Sequence, residues 1–227
     1  MINKFHKFVK IKPIIKFLFW FTILQVLSFH FSFTTFAEAP KNYLKGKFFE
    51  SVENNFLIAT EKMLDDRFKK TLIVMLSNDQ DGAWGLVINK QIGLVPLKML
   101  INITEDITKD EKKELYEESI PIFWGGPVDE TSIFILHTED YTGKTTINYN
   151  GFSITRDYQI LFDIALKKGP KKSLVILGYS GWGAGQLEGE MDHSEHWVLS
   201  EIDVDIIFKE EPTNRWLRAY ENSFIRL

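Results

Sequence analysis

Gly178-Tyr179-Ser180-Gly181-Trp182 sets a serine among glycines, after an apolar run and before a helical pattern. That is the context of a nucleophile elbow, in which glycine stands two residues to either side of the serine. Gly178 meets the first requirement, but Trp182 occupies the second position. Ser180 is therefore expected not to be a nucleophile, and the segment reads as a tight strand-to-helix turn. Gly181, Gly183 and Gly185 come just before the helix start, where exposed backbone N–H groups and the helix dipole favour an anion. GWGAGQ has neither the GK[ST] ending of a phosphate loop nor the GxGxxG spacing of a dinucleotide site. Gly181, Trp182, Gly183, Gly185 and Gln186 form the candidate ligand-binding set. The competing reading is that these glycines only let the turn pack closely under Trp182.

Other polar groupings are weaker. His193 and His196 stand three apart, flanked by Glu190, Asp192 and Glu195. A Glu190–His193 pair on one helix face resembles half of a metal site, yet a solvated helix end explains it more simply. His137 ends an apolar run and reads as a packed or hydrogen-bonded strand residue. Cysteine is absent, which excludes disulfides, thiolate metal sites and a cysteine nucleophile. No His-Glu-x-x-His occurs. Asp65, Asp66 and Arg67 are adjacent in a turn, where carboxylates usually hold backbone N–H groups or a neighbouring arginine. Trp84, Trp124 and Trp182 each sit beside glycine, as core wedges or as the lining of a cleft. No catalytic residue, metal or cofactor is assigned.

The elements that position these residues follow from periodicity. Residues 56–59, 71–76, 84–89, 120–124, 133–137 and 174–177 read as strands. The continuous apolar runs TLIVML and LVIL imply burial on both faces. Asp81-Gly82 marks a tight turn, and Gly125-Gly126-Pro127 another. Asn150-Gly151 joins residues 145–149 and 152–155 in a hairpin. Residues 61–68 read as a turn with one helical turn. Helices are expected to open at residues 95–101 and to run over 108–118, 157–168, 185–192 and 213–224. The second has Thr108 as cap with Glu111 three residues on. The last points Trp216, Leu217 and Tyr220 inward. Strands outnumber helices and often adjoin in sequence, which is an α+β pattern.

Charge divides the 227-residue chain. Lys4, Lys7, Lys10, Lys12 and Lys16 precede an uncharged, phenylalanine-rich stretch over residues 17–37, with no acid before Glu38. The apolar run at residues 17–27 has signal-peptide length and is short for a membrane span. Residues 1–39 are thus expected to be a leader, cleaved near Ala37 or kept as an anchor, and residues 40–227 a single domain. From Glu38 onward, 22 basic residues meet all 31 acids, a balance of −9. Such a surface opposes nucleic acid, which takes most of its binding energy from phosphate contacts. Residues 105–118 hold seven acids against three lysines, the wrong sign for a major-groove reading helix.

FLIATEKMLDDRFKKTLIVML, DGAWGLVINK, WGGPV, FILHTEDY and LGYSGWGAGQLEGE follow in the order and spacing of the YqgE/AlgH family, and the chain resembles that family from about Phe48 to Trp216. Gln91, where proline is common, and residues 192–196 depart from its usual pattern. The resemblance implies an α+β fold with a mainly antiparallel, bifurcated sheet curled into a pseudo-barrel, helices flanking it. It also implies a cytoplasmic protein, whereas the leader points to export or inner-membrane anchoring. Some members carry the label of transcriptional regulator on genetic grounds, without a DNA-binding motif. The resulting expectation is a non-enzymatic, indirect regulator with a protein or small-molecule partner, no direct nucleic-acid binding, and membrane contact only through the leader. The alternative is a hydrolase-type enzyme with a cleft near Trp182.

Overall fold

The computed structural model describes residues 52–101 and 119–224. The expected leader and the expected polar helix over residues 108–118 lie outside the described residues. The strands are β1 (Asn55–Ala59), β2 (Leu72–Asp79), β3 (Gly82–Val87), β4 (Gln91–Pro96), β5 (Ser119–Trp124), β6 (Val128–His137), β7 (Ile147–Asn148), β8 (Ser153–Thr155), β9 (Ser173–Gly183) and β10 (Trp197–Glu201). The helices described are α1 (Leu97–Ile101), α2 (Gln159–Ala165), α3 (Gln186–His193), α4 (Val204–Phe208) and α5 (Pro212–Phe224).

The strands join in the order β10-β1-β2-β3-β9-β6-β8-β7, with β4 and β5 branching off at β9. Among the described strands only the β5–β9 pairing is parallel. The sheet is therefore mainly antiparallel and bifurcated, and it curls into a half-barrel with helices on its flanks. The branch point is β9. Its first half pairs with β5 and β6, and its second half with β3.

Gly178, at φ +69°, sits between these halves, in a backbone region that L side chains rarely adopt. It changes which face successive residues point to. Leu174 and Ile176 enter the same core cluster as Tyr179, although an unbroken strand would have turned residue 179 to the other face. β6 shifts register opposite this point, between Val128 and Ile133. A Cβ on Gly126 would lie 2.3 Å from the backbone of Tyr179 and Ser180, so two backbones cross there at closest approach.

Burial follows the alternation of the strands. Leu72, Val74 and Leu76 of β2 face inside the half-barrel with Phe56, Leu86, Phe123, Phe134 and Phe152, and α4 and α5 close one side with Ile206, Ile207, Trp216 and Ala219. Ile73 and Met75 face outward to a second cluster with Val87, Trp182, Leu187 and Trp197. A third cluster holds α1 and α2 against β5, β6 and β9. In α5 the Trp216 indole donates to the Ala59 carbonyl at 2.7 Å. The buried Arg215 guanidinium donates to the Ile88 carbonyl at 2.5 Å, and burial pulls its pKa down to about 10.

Several boundaries differ from expectation. Residues 91–96 form β4, unmarked in the sequence because Gly93 and Pro96 read as breakers; as an edge strand it tolerates both. Its inclusion moves the start of α1 from Val95 to Leu97. Residues 61–68 keep to turns, the Lys69 N–H closing one helical turn on the Asp65 carbonyl at 3.1 Å as expected. Leu217, expected inward, is 50% exposed, because it lies off the α5 stripe of Trp216 and Ala219. β9 does not end at Leu177 but runs on to Gly183, so Gly178 to Trp182 is strand and not a strand-to-helix turn.

Candidate functional site

The open end of the half-barrel is a groove of about 1110 Å³. One wall is the tip of the β2–β3 hairpin, with Ser77, Asp79, Asp81 and Gly82. Asp79 holds that tip: the Asp81 N–H donates to its Oδ1 at 2.8 Å and the Ser77 hydroxyl to its Oδ2 at 3.4 Å. The other wall is β7–β8 with Thr145, Ile147, Ile154 and Thr155, followed by Arg156 and Tyr158. The Thr145 and Thr155 hydroxyls bond each other at 2.9 Å.

The floor is aromatic. Trp84 comes from β3, Tyr179 from β9 and Phe134 from β6, so three strands distant in sequence each supply one ring. The Trp84–Phe134, Trp84–Tyr179 and Phe134–Tyr179 centroids lie 5.8, 6.0 and 6.1 Å apart, and Tyr179 meets the other two edge-on. This is the preferred geometry for aromatic pairs. Trp84 stands opposite Gly181 in the β3–β9 ladder, and Gly181 places no side chain over it. The Arg156 guanidinium lies 5.1 Å from the Phe134 centroid, and its Nη2 donates to the Ser132 hydroxyl at 3.0 Å. Ser132 in turn donates to the Asp129 carboxylate.

The candidate ligand-binding set divides between the two faces of β9. Gly181 and Trp182 border the groove, but the Trp182 indole turns to the opposite face. Gly183 is in the ladder opposite Gly82, and its N–H donates to Gln186 Oε1 at 3.1 Å. Gly185 caps α3 at φ +73°. Gln186 Nε2 donates to Glu190 Oε1 at 3.0 Å. The Trp182 and Trp197 indoles both donate to Glu190 Oε2, at 3.2 and 2.9 Å. The donors beside the helix start thus converge on a carboxylate of the chain itself.

Ser180 is fully buried, and its hydroxyl donates to the Gly125 carbonyl at 3.0 Å. No histidine lines the groove, and its serine and threonine hydroxyls bond Asp79 or each other. Among the described residues no three histidine or acidic side chains gather as a metal site. His193 Nδ1 faces the Gly189 carbonyl at 3.0 Å. His137 is buried, with Nδ1 2.8 Å from the Thr138 carbonyl, and desolvation pushes its pKa below the usual value. Asp65 accepts from the Arg67 side chain, which lowers its pKa.

Sequence reasoning named Trp84 as a possible cleft lining but missed Phe134, Tyr179, Arg156 and Ile147. A signal was present: Trp84 and Tyr179 each stand one residue from glycine in an apolar strand. Their meeting depends on the β3–β9 pairing, which local patterns do not encode.

The model of the AlgH-like family matches residues 56–227. A UPF0301 protein of Rickettsia prowazekii is 34% identical over 178 residues, covering 78% of this chain and 90% of that relative. A UPF0301 protein of Pseudomonas putida is 38% identical over 157 residues, covering 69% and 80%. The solution structure of the AlgH protein from Pseudomonas aeruginosa superposes with a TM-score of 0.62 at 32% identity, covering 76% of this chain and 88% of that one. A crystal structure of a Corynebacterium diphtheriae protein shares the fold at 14% identity, with a TM-score of 0.54 and coverage of 73% and 83%.

Proposed function

The chain belongs to the AlgH-like family, and from that premise we propose that it is a non-enzymatic binding protein whose groove takes a small molecule or a segment of a protein partner. Any part in transcription is then indirect, through that partner. The observation that carries this reading is the groove itself, a large concavity with an ordered aromatic floor, whose serine and threonine hydroxyls bond Asp79 or each other. Ligand sites are commonly apolar concavities with a few fixed polar groups, and the mouths of barrels are one place they form.

The same proposal holds that the acidic body does not bind duplex DNA and that any membrane contact runs through residues 1–39. The groove's border at Trp182 and its Asp79 and Asp81 favour a second reading, a hydrolase acting there. Thermal shift against a metabolite panel and turnover of nitrophenyl esters and phosphates separate the two. A stabilising compound whose effect is lost in Gly181→Val, without turnover, supports binding. Turnover abolished by Asp81→Asn in a folded protein refutes it and establishes the enzyme.

A further inference from the structure

We infer that the groove selects a flat aromatic carboxylate, its ring over Trp84 and Tyr179 and its carboxylate on Arg156. This rests on the binding reading above and gives it a ligand class.

The groove's charges lie on opposite walls. Asp79 and Asp81 stand at the β2–β3 tip, and Arg156 follows β8. β3 and β8 are separated by β9 and β6. Three strand spacings of about 4.8 Å put the two walls roughly 14 Å apart along the curled sheet. Between them lie the three aromatic rings, with Ile147 and Ile154 beside them. An anionic head is therefore repelled from one wall and attracted to the other, so the groove imposes a direction on its ligand.

Arg156 is built for the attractive end. The cation–π contact with Phe134 and the bond to Ser132 hold its guanidinium, and among the described residues no carboxylate pairs with it directly. Asp129, the nearest acid in this chain of bonds, is occupied by the Ser132 and Thr131 hydroxyls. A planar guanidinium suits a carboxylate's two oxygens, and one already held by a hydrogen bond forfeits less rotamer freedom on binding. The floor favours a flat ring over an alkyl chain because edge-on aromatic clusters extend readily by one more ring.

The test uses the full-length protein with 2-naphthoate and its uncharged isostere 2-naphthamide, binding being followed by saturation-transfer NMR. Wild type should hold the carboxylate more tightly than the amide. Arg156→Gln should weaken the carboxylate about tenfold, the scale of a charge-assisted bond, and leave the amide within about twofold; Arg156→Lys should fall between. Gly181→Val and Ile147→Glu, the latter at an exposed side chain, should weaken 2-naphthoate, and Gly181→Val should weaken both probes. Equal affinities for the two probes, or an Arg156→Gln variant that binds 2-naphthoate like wild type, would overturn the carboxylate assignment while leaving the groove as a binding site. Probe binding that neither Gly181→Val nor Ile147→Glu affects would overturn the groove itself.

Discussion

Glu190→Ala should destabilise this protein more than any other single change on the exposed flank of α3. Its carboxylate receives the Trp182 indole at 3.2 Å, the Trp197 indole at 2.9 Å and the Gln186 amide at 3.0 Å. Trp182 and Trp197 pack edge-on at 6.0 Å, and both are buried. A hydrogen bond to a charged acceptor contributes about 1.5–3 kcal/mol when desolvated. Glu190 is half-buried, so water recovers part of that for the released donors. The Gln186 bond is exposed and counts little. Two indole bonds at the lower end give a loss of about 2–4 kcal/mol. For a body of this size that corresponds to a fall in Tm of roughly 5–12 °C. Glu190→Gln keeps one acceptor oxygen for the indoles but sets an amide against Gln186, and should cost about half as much. Urea unfolding followed by tryptophan fluorescence measures both variants. A Glu190→Ala loss below about 0.5 kcal/mol, the scatter of ordinary surface substitutions, would refute the view that this carboxylate ties α3 to β9 and β10.

Gly178→Ala should cost more than ~1 kcal/mol in chemical denaturation, because φ is +69° and the added Cβ would lie 2.7 Å from the Gly126 carbonyl. Ser180→Ala should leave the fold and any binding activity intact while costing about 1 kcal/mol, since it removes a buried bond to Gly125 and leaves that carbonyl one donor short; loss of a cellular phenotype in the folded variant would make the hydroxyl functional after all. Burial lowers the His137 pKa, against the opposing pull of its Thr138 bond and the Asp140 charge. The unfolded chain therefore takes up its proton first, so stability should decline as pH falls below about 6.5 and level off below the folded pKa. His137→Gln should flatten that part of a stability-against-pH curve, and an unchanged slope would remove His137 as its source.

How far the sequence was legible depended on the range of the interaction involved. β1 and β2 were readable because their apolar runs declare burial on one or both faces without reference to a partner. The α5 face around Trp216 was readable from helical spacing, and the single slip at Leu217 is one step around that helix. β4 was hidden because edge position, which makes Gly93 and Pro96 tolerable, is a property of the sheet and not of the segment. The continuation of β9 past Gly178 was hidden for the same kind of reason. A glycine cluster before a helix signals a turn by local rules, but here β3 supplies a ladder that keeps the chain extended as far as Gly183.

That ladder also changes what the glycines do. Read as a loop, Gly181, Gly183 and Gly185 offered backbone donors to an outside anion. In the fold, the Gly183 N–H is taken by Gln186, the nearby side-chain donors end on Glu190, and Gly185 serves as the cap of α3. Gly181 contributes by lacking a side chain. It pairs with Trp84, and a Cβ there would come within 3.1 Å of the Tyr179 ring. Any larger residue would cover the rings that line the groove floor. The cation that the local pattern could not supply comes from Arg156, two strands away across β6 and β8. The proposed anion recognition joins a gap in β9 to a charge beyond β8, and the first of these depends on the Gly178 switch that turns Tyr179 inward and Trp182 out.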